Sequence, residues 1–75
     1  MNEFQIRARR IISAIDDRIQ HQNDLPWWQV TGTSRDCLSE SYGIEYGLIE
    51  HIMTRISDKA ADQILKDAER KLNLI

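Results

Sequence analysis

Gly43 constrains this chain more than any other residue. It stands between two runs of apolar residues spaced as on helices, with Leu38 and Tyr42 before it and Ile44, Ile49, Ile52 and Ile56 after it. At a helix end a glycine takes the left-handed conformation without the steric cost that a Cβ brings, so the pattern predicts two short helices meeting at a corner. The segment from Thr33 to Ile56 is the part around which the remainder has to pack.

The flanking segments supply that packing. Phe4, Ala8, Ile11, Ile12, Ile15 and Ile19 fall within a stripe roughly 100° wide, which predicts an amphipathic helix from Glu3 to about Gln22. Ile6 points away from the stripe. Toward the other end Ala61, Ile64, Leu65, Ala68, Leu72 and Ile75 form a narrow seam on a helix expected from Asp58 to about Asn73, with Ser57 as its cap. Asp58 and Asp62 near its start and Lys66, Arg70 and Lys71 toward its end suit the helix dipole. The small alanines allow close approach to another helix. The preferred partner is the first helix of the same chain, and a homodimer through the Ala61-Leu65-Ala68-Leu72 seam is the alternative.

Between the first helix and the corner, Asn23, Asp24 and Pro26 stop the helix, and Leu25 to Val30 is expected to make one or two further turns closed by Gly32. Trp27 and Trp28 are adjacent and cannot face the same way. One is expected to plug the core and the other to lie at the surface, with Trp28 the candidate contact for a partner. Thr33 or Ser34 is expected to cap the next helix, with Asp36 in capping-box position, and that helix runs to Tyr42. The second helix of the corner spans Glu45 to Ile56. Gly47 inside it costs about 1 kcal/mol relative to alanine, which points to a backbone passing close by or to a later helix start.

These patterns give an all-α fold, a compact bundle of about four helices in a single domain spanning residues 1–75. The expected core contains Phe4, Ile11, Ile15, Leu38, Ile49, Ile52, Leu65 and Leu72. A chain of 75 residues has room for one core, with a stability of about 4–11 kcal/mol. Its one cysteine, Cys37, excludes an internal disulfide and is expected as a small buried side chain. No run approaches the ~18 apolar residues of a membrane span and the N-terminus does not read as a signal peptide, so a cytoplasmic location is expected.

Nothing in the spacing brings Cys37 to His21 or His51, and no second histidine stands four residues from either. Gly32, Gly43 and Gly47 are isolated and do not make a phosphate loop. The expectation is a protein that is not an enzyme, with no cofactor and no metal site, and with both histidines at the surface.

The small Ser39, Gly43 four residues on, and then Ile44, Ile49 and Ile52 resemble the pattern of helix-turn-helix DNA-binding domains over residues 33–56, about a third of the chain. The resemblance implies that Glu45 to Ile56 is a recognition helix presenting Glu45, Tyr46, Leu48, Glu50, His51, Thr54 and Arg55. Arg7, Arg9 and Arg10 would then be candidate contacts to a nucleic-acid backbone. Charge argues the other way. From Pro26 to Arg55, two arginines stand against Asp36, Glu40, Glu45 and Glu50, whereas DNA affinity comes from neutralising phosphates. Trp28, Glu45, Tyr46, Leu48, Glu50, His51 and Arg55 read better as a protein-binding face, with aromatic anchors rimmed by charge. The leading expectation is a small non-enzymatic regulator that binds a larger protein through a basic or mixed surface on that protein and blocks or recruits it. In size and style it resembles the regulators and the host-factor or defence-system inhibitors that phages and mobile elements encode. The alternative is a helix-turn-helix transcription regulator.

Overall fold

The computed structural model describes residues 3–23, 26–54 and 59–75. Within them the chain forms α1 (Glu3–Asn23), a 3-10 turn (Trp27–Gln29), α2 (Gly32–Ser41), α3 (Tyr46–Thr54) and α4 (Lys59–Lys71), with no strand among the described residues. Arg55, Ile56, Ser57 and Asp58 lie outside these residues, as do Asp24 and Leu25. The cap expected at Ser57 therefore falls outside them too.

Helix α1 is the spine. The tryptophan turn, α2, α3 and α4 all pack on it, α3 most extensively. Its stripe does what the periodicity predicts: Ala8, Ile11, Ile15 and Ile19 are buried, Ala14 joins them, and Ile6 stays exposed. From the opposite side come Ile44, Tyr46, Ile49 and Ile52, and from α4 Ala61, Leu65, Ala68 and Leu72. Phe4 and Leu38, expected in the core, are only half-buried at its edge. Each large aliphatic side chain taken fully from water contributes about 1.5–3 kcal/mol, so this one cluster carries the fold.

Long-range contacts fix the helix directions. Arg7 reaches Asp62 and Glu69, and Arg18 donates to the Leu72 carbonyl at 2.6 Å, so α1 and α4 run the same way. The Lys71 ammonium donates to the Gly43 carbonyl at 2.7 Å, which sets the start of α3 beside the end of α4 and sends α3 back along the pair. The α4 seam is thus covered within the chain, as the preferred expectation had it. Ala61, Leu65, Ala68 and Leu72 are buried against the chain's own core, while Ile75 departs from the seam and is exposed.

The corner forms as its glycine requires. Gly43 takes φ 74°, its N–H bonds to the Glu40 carbonyl at 2.9 Å, and the Ile44 N–H reaches back to the Ser39 carbonyl at 2.8 Å. This double closure is a Schellman motif, and it drops Ile44 directly into the core. Helix α4 ends by the same device with Asn73 at φ 58° in the glycine's place; the Leu74 N–H reaches the Glu69 carbonyl at 2.8 Å.

The start of α2 differs from expectation. Thr31, rather than Thr33 or Ser34, is the cap, its Oγ1 accepting the Ser34 N–H at 3.3 Å, and Gly32 opens the helix instead of closing the preceding turn. Val30 is the reason. It docks in the core in extended conformation, and the chain turns helical immediately afterwards. At Gly47 nothing lies within 4 Å of where a Cβ would stand, so no close backbone accounts for it. The later helix start does, because Gly47 falls in the first turn of α3, where N–H groups have no intrahelical partner.

Candidate functional site

Two regions of the molecule treat charge differently. On the α1–α4 side, the Arg7 guanidinium donates to Asp62 Oδ1 at 2.7 Å and to both oxygens of Glu69. Glu69 is only 3% exposed, so its charge is balanced inside the fold. Hydrogen bonds donated to Glu69 first and Asp62 second hold the Arg7 pKa above its ordinary value. In return Arg7, and after it Lys66, hold Asp62 below the usual carboxylate value. Arg7, a candidate nucleic-acid contact from the sequence, is thus engaged as a clamp between helices. Arg9 and Arg10 are exposed and make no ion pair among the described residues. Arg18 has its guanidinium 5.6 Å above the Tyr42 ring.

Arg35 forms a second clamp, from α2 to α1. Its Nε and one terminal nitrogen donate to the two oxygens of Asp16 at 2.6 and 3.0 Å, and this raises the Arg35 pKa. The Tyr46 phenol lies beside it. Burial raises the Tyr46 pKa, and the Arg35 charge opposes that shift. Tyr46 is thus turned inward and is not part of an outward face. As the first residue of α3 it shares the inward line with Ile49 and Ile52, three residues apart in turn.

With Arg35 held by Asp16, no lysine or arginine in residues 26–54 is left unpaired. Asp36, Glu40, Glu45 and Glu50 are exposed and make no ion pair among the described residues. The same stretch carries both tryptophans. Trp27 is 70% and Trp28 67% exposed, their ring centroids 5.7 Å apart and their planes at 88°. The expected core plug is absent because a three-residue 3-10 turn is too short to develop an inward face, and Val30 fills the core beside it. The sequence led to the expectation of one buried and one exposed ring, and both are exposed. The signal was the brevity of the turn between Pro26 and Val30.

The remaining candidates on and near α3 divide between two strips. Glu45 and Leu48 line an open groove of about 340 Å³ between α3 and α4, floored by Ile49, Ile64 and Ala68. Glu50 and His51 line a separate shallow recess with Gly47 and Thr54. Arg55 lies outside the described residues. Cys37 is exposed, not buried, because α2 turns Leu38 and Ser39 inward; it lines a groove against α1 with Ile19 and Leu38 that does not include His51. Both histidines are exposed. The Ser39 hydroxyl is fully buried and has no hydrogen-bond partner among the described residues.

Comparison with known proteins adds no family to this geometry: no protein-family model matches the chain, and searches of curated proteins and of solved structures returned no match. Among the described residues, no helix is long and apolar enough to cross a membrane.

Proposed function

We propose that this protein is a small non-enzymatic regulator that acts by binding another protein and blocking or recruiting it. The observation that carries the reading is the exposure of Trp27 and Trp28 together, in edge-to-face contact, on a turn that the core does not need for its filling. A tryptophan buries about 150–250 Å² when covered, and tryptophan is among the residues on which interface energy concentrates. Elsewhere on the surface, Asp36, Glu40, Glu45 and Glu50 stand exposed, charged groups of the kind found at the edges of protein interfaces.

The same facts weaken the helix-turn-helix alternative. A DNA reader needs cations aimed at phosphates, yet Arg7 is engaged by Asp62 and Glu69, Arg35 by Asp16, and α3 presents Glu50 outward. A domain that only occupies a surface needs no chemistry of its own. That economy suits the inhibitors which phages and mobile elements direct at host factors or defence systems.

Affinity capture tests the reading. Tagged protein is incubated with a bacterial lysate split into nuclease-treated and untreated halves, each washed at low and high salt. The expected result is a stoichiometric protein retained in both halves and lost with the Trp27→Ala/Trp28→Ala double variant. Retention of nucleic acid alone, released at high salt, would overturn it in favour of the DNA reading.

A further inference from the structure

The helices are not evenly joined, and the joints show which of them is separable. Among the described residues α1 meets the turn, α2 and α3, and α2 meets α3, whereas α4 meets only α1 and α3 and packs on α1 less extensively than α3 does. Lifting α4 away leaves every other pairing in place. Its apolar attachment is also small. Leu65 and, just past the helix end, Leu72 are the large side chains that it buries, beside Ala61 and Ala68 and with Ile64 at the edge. By contrast α1 buries Ile11, Ile15 and Ile19, and the corner with α3 buries Ile44, Tyr46, Ile49 and Ile52. The remaining attachments of α4 are polar and sit at three points: Arg7 on Asp62 and Glu69, Arg18 on the Leu72 carbonyl, and Lys71 on the Gly43 carbonyl.

We propose that α4 is a strap that undocks as a unit from the body formed by α1, α2, α3 and the turn, while that body stays folded, with Arg7 and Lys71 as its fastenings. Segments with few buried apolar contacts are the ones that open below the free energy of global unfolding, in contiguous cooperative units. Undocking bares the Ala61-Leu65-Ala68-Leu72 seam together with the strips of α1 and α3 beneath it, so the domain has a second form with an apolar surface that the closed form hides. It also separates Arg7 from Glu69, which is 3% exposed in the closed form and hidden from screening salt. The tryptophan turn belongs to the body, so the strap and the protein-binding reading stand or fall separately.

Native-state hydrogen exchange of the full chain, resolved amide by amide, tests this under conditions where exchange follows the opening equilibrium. In the unmodified protein the slowest amides of α4 should be protected at least about tenfold less than the slowest amides of α1 and α3. Two variants separate undocking from global unfolding. Arg7→Lys keeps the charge and loses the fork that spans Asp62 and Glu69, so it weakens the fastening. Because unfolding of the whole chain includes undocking, protection should fall by the same factor, about tenfold, in α4, α1 and α3 alike. Arg35→Gln breaks the clamp from α2 to α1, inside the body. It should lower protection in α1 and α3 by about fivefold and leave α4 within about twofold of the unmodified protein, since the strap opens without that clamp being broken. Equal protection of α4, α1 and α3 in the unmodified protein would overturn the proposal, and so would an equal fall in all three on Arg35→Gln: α4 would then open only when everything does. Protection of α4 unchanged by Arg7→Lys would overturn the part assigned to Arg7.

Discussion

Between α1 and α4 Arg7 is balanced by Asp62 and Glu69, while along α4 Lys66 pairs with Asp62 and Lys71 with Asp67 and the Gly43 carbonyl. Across the tryptophan turn, α2 and α3 the reverse holds. Arg35 is paired, but Asp36, Glu40, Glu45 and Glu50 face water, and the two indoles of the turn are open to solvent. On the protein-binding reading, a domain of this size divides its residues between holding itself together and holding a partner. The α1–α4 clamp belongs to the first task and the tryptophan turn is assigned to the second, a division that mutations should separate.

The largest effect is expected at Arg7. Arg7→Ala leaves Glu69, 3% exposed, as a buried carboxylate without its cation, and should cost about 3 kcal/mol in urea unfolding, a large part of what so small a domain possesses. The same region should respond to acid. Asp62 is held below its ordinary value of 3.8 by Arg7 and then Lys66, so its folded pKa is depressed. A depressed carboxylate stabilises the fold fully above its unfolded pKa, and the contribution fades as pH falls through the lower folded value. Stability should therefore decline below about pH 4, and Asp62→Asn should flatten that decline. An unchanged acid limb in the variant would show that the clamp contributes nothing in solution.

Gly43 and Gly47 test the seam between the regions. Gly43 closes α2 with its N–H while its carbonyl accepts from Lys71 of α4. A Cβ there would meet only the flexible end of Lys71, at 3.5 Å, so the penalty is conformational: at φ 74°, Gly43→Ala should cost about 1–2 kcal/mol. Gly47→Ala, in open space within α3, should stabilise by up to about 1 kcal/mol. Thermal melts of the two variants moving the same way would contradict the placement of the corner.

Much of the scaffold was legible because it depends on near neighbours. The stripe of α1, the seam of α4 and the break at Gly43 are all read from spacings of three and four and from one backbone preference. The contacts that clamp the helices to one another are of another kind. Arg7 and Glu69 stand 62 residues apart and Arg35 and Asp16 stand 19 apart, separations that periodicity does not connect. Tyr46 turned inward because α3 begins one residue later than Glu45, which makes it the first residue of the inward line. The tryptophans escaped for the opposite reason: a three-residue turn has no period to read.

A smaller effect should come from Ser39, where α2 meets the core. Its hydroxyl is fully buried without a partner among the described residues, so the native side chain leaves a polar group unsatisfied. Ser39→Ala removes the group with little change in volume and should stabilise by up to about 1 kcal/mol. Loss of stability instead would mean that the hydroxyl is satisfied in solution.

The smallest change in stability is expected where the change in binding is greatest. Trp27 and Trp28 are each about two-thirds exposed and lie edge to face, and Val30 fills the core at that point. Trp27→Ala/Trp28→Ala should therefore shift the unfolding free energy by no more than about 0.5 kcal/mol, the range of ordinary surface substitutions, while abolishing retention of the partner. The two readouts constrain each other. A loss of retention with an unchanged melt places the rings in the interface, because the scaffold that presents them is intact. A loss of more than about 1 kcal/mol would place them in the fold, and the contrast between the two regions would collapse, since the tryptophan turn would then be as much a part of the stabilising half as Arg7 is.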